Sequence, residues 1–267
     1  MKPTIPTVQC ALLLLCSALS FSAVSAPRDT AAVVLVKGGS FETVLPPGPN
    51  TKSVAVASFR IDVTPVSNAQ FAAFINRHPE WRRDKVARLF ADEQYLVHWQ
   101  SATAPGEKIA RQPAVKVSWF AAEAYCEERG MRLPRWHEWE FAAAASEHSA
   151  DGRSNEAWRQ RILDWYSKSA RGTLPEIAST PANFYGVRDL HGVVWEWVDD
   201  LSALLVSGDN RQQSSPNQLE FCGPGALTME QKENYATLMR IAMLSSMQAS
   251  YTSGSMGFRC AADVRKR

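Results

Sequence analysis

The segments of this chain that carry the period of a helix or a strand are all short, and turn residues separate them. Apolar residues recur at helical spacing after Ser67 and after Ser118, and both serines are expected N-caps. A further helical stretch is predicted at residues 235–244. Short strand-like runs occupy residues 33–41, 54–62, 114–117 and 257–260. Short helices and strands among many turns favour an irregular α+β domain over a doubly wound sheet.

The first 26 residues have the pattern of a secretory signal peptide. Lys2 precedes an apolar run at residues 11–15, and small residues end the segment at Ala26. The apolar stretch is too short to cross a bilayer core of about 30 Å. We therefore expect residues 1–26 to be removed, with an uncleaved anchor as the alternative, and residues 27–267 to fold as one domain. The mature protein is expected to be periplasmic or secreted, without a permanent membrane anchor.

The charge distribution argues against a nucleic-acid partner. The formal net charge is +2, and 21% of the residues are charged. A basic cluster that includes Arg82, Arg83 and Lys85 is diluted by neighbouring acidic residues, which is typical of a solvated surface. The oligomeric state is left open.

Three cysteines follow the predicted signal peptide: Cys126, Cys222 and Cys260. An exported protein meets an oxidising compartment, so two of the three are expected to pair and one to be left over.

Large aromatic residues recur in the regions that lack regular structure. Trp119, Trp139, Trp195 and Trp197 are expected in the core, because such side chains hold together a domain with few long elements. Arg132 and a nearby acid in the same block, Glu140, are expected to form a buried ion pair, with direct substrate contact as the alternative.

Five ordered blocks of the sequence share their motifs and spacing with one known family. They are GGSF at 38–41, VTPVSN at 63–68, VSW through RLP to EWE at 117–140, YG through DLHG to WEW at 185–197, and GFRC at 257–260. Together they resemble the formylglycine-generating enzyme (sulfatase-modifying factor) family over nearly all of residues 27–267. The resemblance implies a C-type-lectin-like fold that is poor in regular secondary structure.

The cysteine pair of the oxidising family members is missing. In those members two cysteines precede the arginine that matches Arg240 and bind copper(I) as thiolates, a soft ligand that suits this ion. The matching positions hold Gln231 and Ala236, and neither side chain ligates copper. Cys222 lies upstream, and one thiolate alone is a poor copper site. Formylglycine synthesis by the family mechanism is therefore not expected.

The histidines offer no clear iron site of the kind found in non-haem iron relatives. None is paired at i, i+4 or stands in a ligand-like run, and hydrogen-bonded structural roles explain them as well. They are His78, His98, His137, His148 and His191. The sequence thus leaves a redox metal, copper or iron, open.

The resemblance implies which cysteines pair. The family places a disulfide between the blocks that contain Cys126 and Cys260, and the expected compartment permits it. Cys222 is then the reduced thiol. It precedes a Gly-Pro-Gly turn and is the candidate catalytic residue, at or near the groove that serves as the active site in relatives. An inert buried cysteine is the alternative.

The resemblance also implies one structural calcium ion. Its ligands would be the carboxylates of Asp189 and Glu196 and the backbone carbonyls of Gly192 and Val194. The family has asparagine at the position of Asp189, so an oxygen ligand is kept. A second family site depends on an insertion that is absent between residues 178 and 185. The alternative is that Glu196 pairs with an arginine and Asp189 caps a turn.

Two functions from different classes follow. The first is an exported maturation factor or oxidase that acts on a periplasmic protein or peptide and is not a formylglycine synthase. The segment CGPGAL at 222–227 and the long loop at 82–99 look nearest to family members found as accessory proteins beside copper nitrite reductases. The second is a catalytically silent, calcium-stabilised binding module. Whether the chain is an enzyme, and the identity of any substrate, stay open at this stage.

Overall fold

The computed structural model describes residues 31–44, 52–167, 172–201 and 235–264 of the 267-residue chain. The predicted signal peptide, Cys222 and Gln231 lie outside these residues. The elements, in chain order, are β1 (Val33–Val36), β2 (Gly39–Glu42), β3 (Ser53–Val56), β4 (Phe59–Asp62), α1 (Asn68–Arg77), α2 (Trp119–Glu128), α3 (Trp136–Ala143), α4 (Glu156–Ser167), β5 (Trp195–Glu196), α5 (Tyr235–Ser245), β6 (Met256–Gly257) and β7 (Ala261–Asp263). Two 3₁₀ turns, Pro79–Trp81 and Glu107–Ile109, lie between α1 and α2.

The strands form three small sheets. β4 is the centre of an antiparallel sheet with β1 and β7, whereas β2 and β3 form an antiparallel hairpin and β5 and β6 a short parallel pair. The predicted strands at 33–41 and 54–62 are therefore each two strands that belong to different sheets. The chain changes sheet at Gly38, where a Cβ atom would lie 2.1 Å from the carbonyl oxygen of Val56. Only glycine allows this approach.

Two further strand predictions need correction. Residues 114–117 do not form a strand, because Ala114 donates its amide to Val66 and Lys116 donates to Ser253, so no single neighbour continues the ladder. The run at 257–260 is divided in the same way: Gly257 ends β6, and β7 begins after Cys260.

The predicted helix starts are confirmed. Ser67 forms a capping box with Gln70. The backbone N–H of Gln70 donates to the serine hydroxyl, and the side-chain oxygen of Gln70 accepts from the backbone N–H of Ser67. The Ser118 hydroxyl accepts from the amide of Ala121 at the start of α2. The helical stretch predicted at 235–244 is α5. No helix in the described ranges is long and apolar enough to cross a membrane.

Aromatic side chains fill the space between these short elements. Trp139 and Trp197 are buried, and Trp119 and Trp195 are partly buried against the same core. A second group of rings, contributed by α1, α2 and the segment before β7, packs at centroid distances of 5.4–6.0 Å: Phe71, Phe74, Tyr125 and Phe258. Such ring pairs stabilise a core in which few elements are long. The irregular α+β fold expected from the sequence is confirmed.

The ion pair predicted between Arg132 and Glu140 is wrong. Arg132 makes two hydrogen bonds of 2.7 Å to Glu138 and also contacts Asp263. Glu140 accepts instead from the Thr43 hydroxyl and from the amide that follows it, at 2.6 and 2.9 Å. Residues two apart in a helix point to nearly opposite faces, so only one of the two glutamates on α3 can face Arg132.

Candidate functional site

The centre of the domain contains a fully buried ion pair between Glu196 on β5 and Arg259, just before β7. Both side chains are 0% exposed, and the guanidinium donates to the two carboxylate oxygens at 2.8–3.0 Å. The remaining guanidinium hydrogens go to backbone carbonyls, among them those of Asp62 and Arg188. Trp139 on α3 donates its indole N–H to Glu196 at 2.8 Å. A buried pair of this kind is tolerated because every polar atom has a partner.

Arg240 on α5 is buried against this pair with much less compensation. It is 1% exposed, and its guanidinium carbon lies 3.6 Å from the centroid of the Trp139 ring. One nitrogen, Nη2, donates to the backbone carbonyl of Glu196, whereas Nε and Nη1 have no hydrogen-bond partner. Burial lowers the pKa of Arg240 to about 10. The stacking on Trp139 is a cation–π contact, which offsets part of the desolvation cost.

His191 contacts Trp139 as well and is held in one orientation. Its Nε2 is 2.9 Å from the carbonyl oxygen of Ala143, and its ring meets the rings of Trp139 and Trp158 edge to face. A carbonyl only accepts, so Nε2 carries the proton and Nδ1 of the neutral ring is an acceptor. Nδ1 is buried without a partner. Desolvation lowers the pKa of His191 to about 4.

Asp189 is the buried anchor of the loop that carries His191. Its carboxylate accepts from the amide and hydroxyl of Thr180, both at 2.9 Å, and from the amide of Ala178. Its own amide donates back to the Thr180 hydroxyl at 2.7 Å. Asp189 and Gly192 both have positive φ, 62° and 101°, so the loop turns sharply at both residues.

The residues predicted to bind calcium lie close together in the sequence, but the two carboxylates among them already have other partners. The Glu196 carboxylate is paired with Arg259, and the Asp189 carboxylate accepts four hydrogen bonds from the 178–180 segment. As placed, these two carboxylates fit an arginine and a turn, which is the alternative stated above. Calcium binding by Asp189, Gly192, Val194 and Glu196 would require those contacts to be exchanged, and it stays a prediction. The ranges that the structure covers hold no group of three or more His, Cys, Asp or Glu side chains suited to a metal ion.

The cysteines expected to pair form a disulfide. Cys126 on α2 and Cys260 before β7 are bonded, with their Cα atoms 5.5 Å apart. The candidate catalytic residue Cys222 lies outside the described residues, so its role stays a prediction.

A cavity of about 290 Å³ lies between α4 and the loop at 180–192. Its walls are mostly apolar and aromatic, and they include Trp158, Ile162, Trp165, Leu190 and His191. A much smaller cavity shares Trp158, Ile162 and His191 with it and reaches Glu140 and Thr237.

Sequence reasoning missed this cavity and the place of Arg240 in the core. The spacing of Trp158, Ile162 and Trp165 on α4 is the one signal that could have indicated an apolar wall. Nothing in the local sequence connects that helix to the loop at 180–192.

The chain matches the family described as the sulfatase-modifying factor enzyme 1-like domain over residues 20–264. It is 32% identical over 213 residues to the inactive C-alpha-formylglycine-generating enzyme 2 of Bos taurus, covering 63% of this chain and 70% of that protein. It is 28% identical over 260 residues to the formylglycine-generating enzyme of Thermomonospora curvata, covering 79% and 84%. The crystal structure of CarF has the same fold, with a TM-score of 0.50 and 18% identity over 88% of this chain and 99% of that one. Because the family match extends over most of its length, the chain belongs to the sulfatase-modifying factor family, which includes the formylglycine-generating enzymes.

Proposed function

We propose that this chain is an exported maturation factor or oxidase that acts on a periplasmic protein or peptide and does not synthesise formylglycine. The observation that carries the proposal is the loss of the copper thiolates, because the matching positions hold Gln231 and Ala236. Cys126 and Cys260 are bonded to each other, which leaves Cys222 as the one cysteine of residues 27–267 that can act as a thiolate. Copper(I) favours sites with more than one soft ligand. The residues present do not fit the family's copper site, and no reaction step is assigned to copper.

The buried side chains at the centre of the domain support a role in binding a protein or peptide. Glu196 accepts hydrogen bonds from both Arg259 and Trp139, so these three side chains form one connected floor beneath α5. Arg240 packs on that floor from α5, one turn beyond Thr237, which lines the smaller cavity. The cavities beside this hydrogen-bonded floor offer concave surface for one side chain of a bound polypeptide.

The test is an assay for formylglycine with the protein from which residues 1–26 have been removed. A cysteine peptide that the Thermomonospora curvata enzyme oxidises is incubated with copper(I) and oxygen, and the aldehyde is measured by mass spectrometry. We expect no aldehyde from this protein and conversion by the bacterial enzyme. Aldehyde formation by the unmodified protein contradicts the proposal.

Restoring the thiolates is the matched experiment. The double variant Gln231→Cys, Ala236→Cys is expected to bind copper(I) near stoichiometry, whereas each single variant binds it weakly. If the double variant gains no copper beyond the parent, Gln231 and Ala236 are not the matching positions and the argument from them fails.

Metal analysis of the purified protein separates an oxidase from a maturation factor that acts by binding. Near-stoichiometric copper or iron that is lost in Cys222→Ser supports an oxidase with Cys222 at its metal. Equal and negligible metal in parent and variant leaves the binding role and removes Cys222 from the metal chemistry.

A catalytically silent, calcium-stabilised binding module is the second candidate. It is favoured by the 32% identical relative whose name describes it as inactive. Affinity capture from a periplasmic extract without a cross-linker, followed by mass measurement of the captured protein, distinguishes the two. A captured protein whose covalent mass is unchanged after incubation favours the binding module, and a new covalent modification favours the maturation factor.

A further inference from the structure

Strand β1 forms one edge of the three-stranded sheet. β4 covers one side of β1, and β7 forms the opposite edge of the same sheet. The β7 edge is partly closed by a bridge between Ala261 and Arg132. No described residue pairs with the outer side of β1. Among the described residues, the backbone groups on that side are therefore open to a further strand.

The register of the sheet shows which backbone groups of β1 point outward. Val33 lies opposite Asp62, but the backbone N–H of Asp62 donates to Cys260, on the β7 side of β4, at 2.9 Å. Val33 and Asp62 are therefore a pair without hydrogen bonds. Bonded and non-bonded pairs alternate along an antiparallel ladder, so the same holds for Leu35 two residues later. The N–H and C=O groups of Val33 and Leu35 thus point away from the sheet.

The side chains at this edge are apolar and exposed. Val33 is 41% and Leu35 is 52% exposed, and the described strands hold no other exposed large apolar side chain. Edge strands commonly avoid pairing with another chain by means of a charged residue, a proline or a bulge. β1 has the sequence VVLV and pairs with β4 in an unbroken register, so it has none of these. Such an edge favours the addition of a strand.

The outer edge of β1 is complementary to itself. When a second copy is related by a two-fold axis, Val33 lies opposite Leu35 of that copy, and Leu35 lies opposite its Val33. Each of these pairs can exchange both of its backbone hydrogen bonds. The exposed valine and leucine side chains then meet as cross-strand apolar pairs. Because β1 contains no charged residue, its pairing with a second β1 brings no like charges together.

We propose that two copies of this protein associate through β1, which pairs antiparallel with β1 of the second copy and joins the two sheets into one. Pairing over four residues is a small contact compared with the about 1,200 Å² of a stable interface, so the association is weak and reversible. This inference goes beyond the proposed function and does not depend on it, since the oligomeric state is measured without a substrate or a metal.

The test is sedimentation equilibrium of residues 27–267, with any tag at the C-terminus. Between about 10 µM and 1 mM, the average mass of the parent should rise from monomer towards dimer, as for a transient interface. Val33→Pro removes an outward N–H and leaves the bonds to β4 in place, because proline is tolerated where an edge N–H faces solvent. It should weaken association about tenfold or more, since each dimer loses two hydrogen bonds. Val33→Ile keeps the N–H and should associate like the parent.

A charged side chain provides the second variant. Leu35→Lys places an ammonium group at the paired edge and should also weaken association about tenfold or more. Leu89→Lys, in the loop at 82–99 and 74% exposed, makes the same change outside the strands and should associate like the parent. Near-ultraviolet circular dichroism checks that each variant is folded.

The inference is overturned if the parent is still a monomer at about 1 mM, a concentration at which even a transient interface is populated. It is also overturned if folded Val33→Pro or folded Leu35→Lys associates as strongly as the parent, because the contact then lies elsewhere. If one of these two variants does not fold, the other decides the matter.

Discussion

Two buried arginines in this protein differ in how their charges are compensated. Arg259 shares its charge with Glu196 and fills its remaining donors with carbonyls, whereas Arg240 has one carbonyl, the face of Trp139 and two nitrogens without partners. The cost of burying a charge depends on such partners more than on burial itself. The Glu196–Arg259 pair is therefore where a single change should be most damaging to stability.

We expect Glu196→Gln to destabilise the protein by about 3–5 kcal/mol, because it leaves Arg259 buried without its counter-charge. Urea unfolding monitored by tryptophan fluorescence measures the change. Glu176→Gln is the matched control: its pair with Arg111 is exposed, with 71% and 61% of the arginine and glutamate side chains accessible, so the loss should stay below about 1 kcal/mol. Equal stability of the two variants would show that the buried pair contributes no more than a surface one.

His191 should make stability fall as the pH is lowered. Its pKa is about 4 in the folded protein and about 6.5 in an unfolded chain, so between these values the unfolded state binds more protons. Its contribution is complete above pH 6.5 and is lost as the pH falls towards 4. Between pH 7 and pH 4.5, the free energy of unfolding of His191→Gln should fall by about 1–3 kcal/mol less than that of the parent. Urea unfolding is measured in parallel for the two proteins. The contributions of other titrating groups, such as His98, are the same in both and cancel in the difference. Identical pH slopes would contradict this assignment.

At the scale of elements, the Cys126–Cys260 disulfide ties α2 to the start of β7 across 134 residues of sequence. Replacing both cysteines with alanine should cost about 2–5 kcal/mol, since the bond restricts a long loop in the unfolded chain. Cys222→Ala is the control and should change stability little. Peptide mapping without reduction should recover residues 126 and 260 in one linked pair, and a Cys126 peptide joined to Cys222 would refute the pairing.

The loop from Asp189 to Glu196 is the element on which the calcium prediction depends. If calcium binds there, millimolar calcium should raise the thermal midpoint above its value in chelator. At a calcium concentration one hundred times Kd, the free energy of unfolding should rise by about 2.7 kcal/mol. Asp189→Ala should remove the shift, and magnesium should not replace calcium, because it requires smaller octahedral sites. No difference between calcium and chelator in the parent would leave Asp189 as a turn anchor and Glu196 as the partner of Arg259.

At the scale of the whole molecule, the fold class, the helix starts at Ser67 and Ser118, and the family were predictable from the sequence. These features depend on local patterns: a cap needs only a serine and the next turn, and the family motifs are short blocks in a fixed order. The strand at 114–117 and the Arg132–Glu140 pair were predicted wrongly. In both cases the local sequence was compatible with the prediction, but hydrogen-bond partners that the local pattern does not specify determined the structure.

The sequence by itself determined that the protein is an irregular α+β member of this family and that it lacks the copper-binding cysteine pair. These features depend on which residues stand at which positions, and no knowledge of their spatial neighbours is needed. Only the tertiary structure decided that Glu196 holds Arg259, that Glu138 rather than Glu140 meets Arg132, and that α4 encloses a cavity with His191. Ion pairs and cavities arise between side chains separated by tens of residues. Their free energies depend on burial and on which donors and acceptors remain unused, and both are set only when the segments pack together.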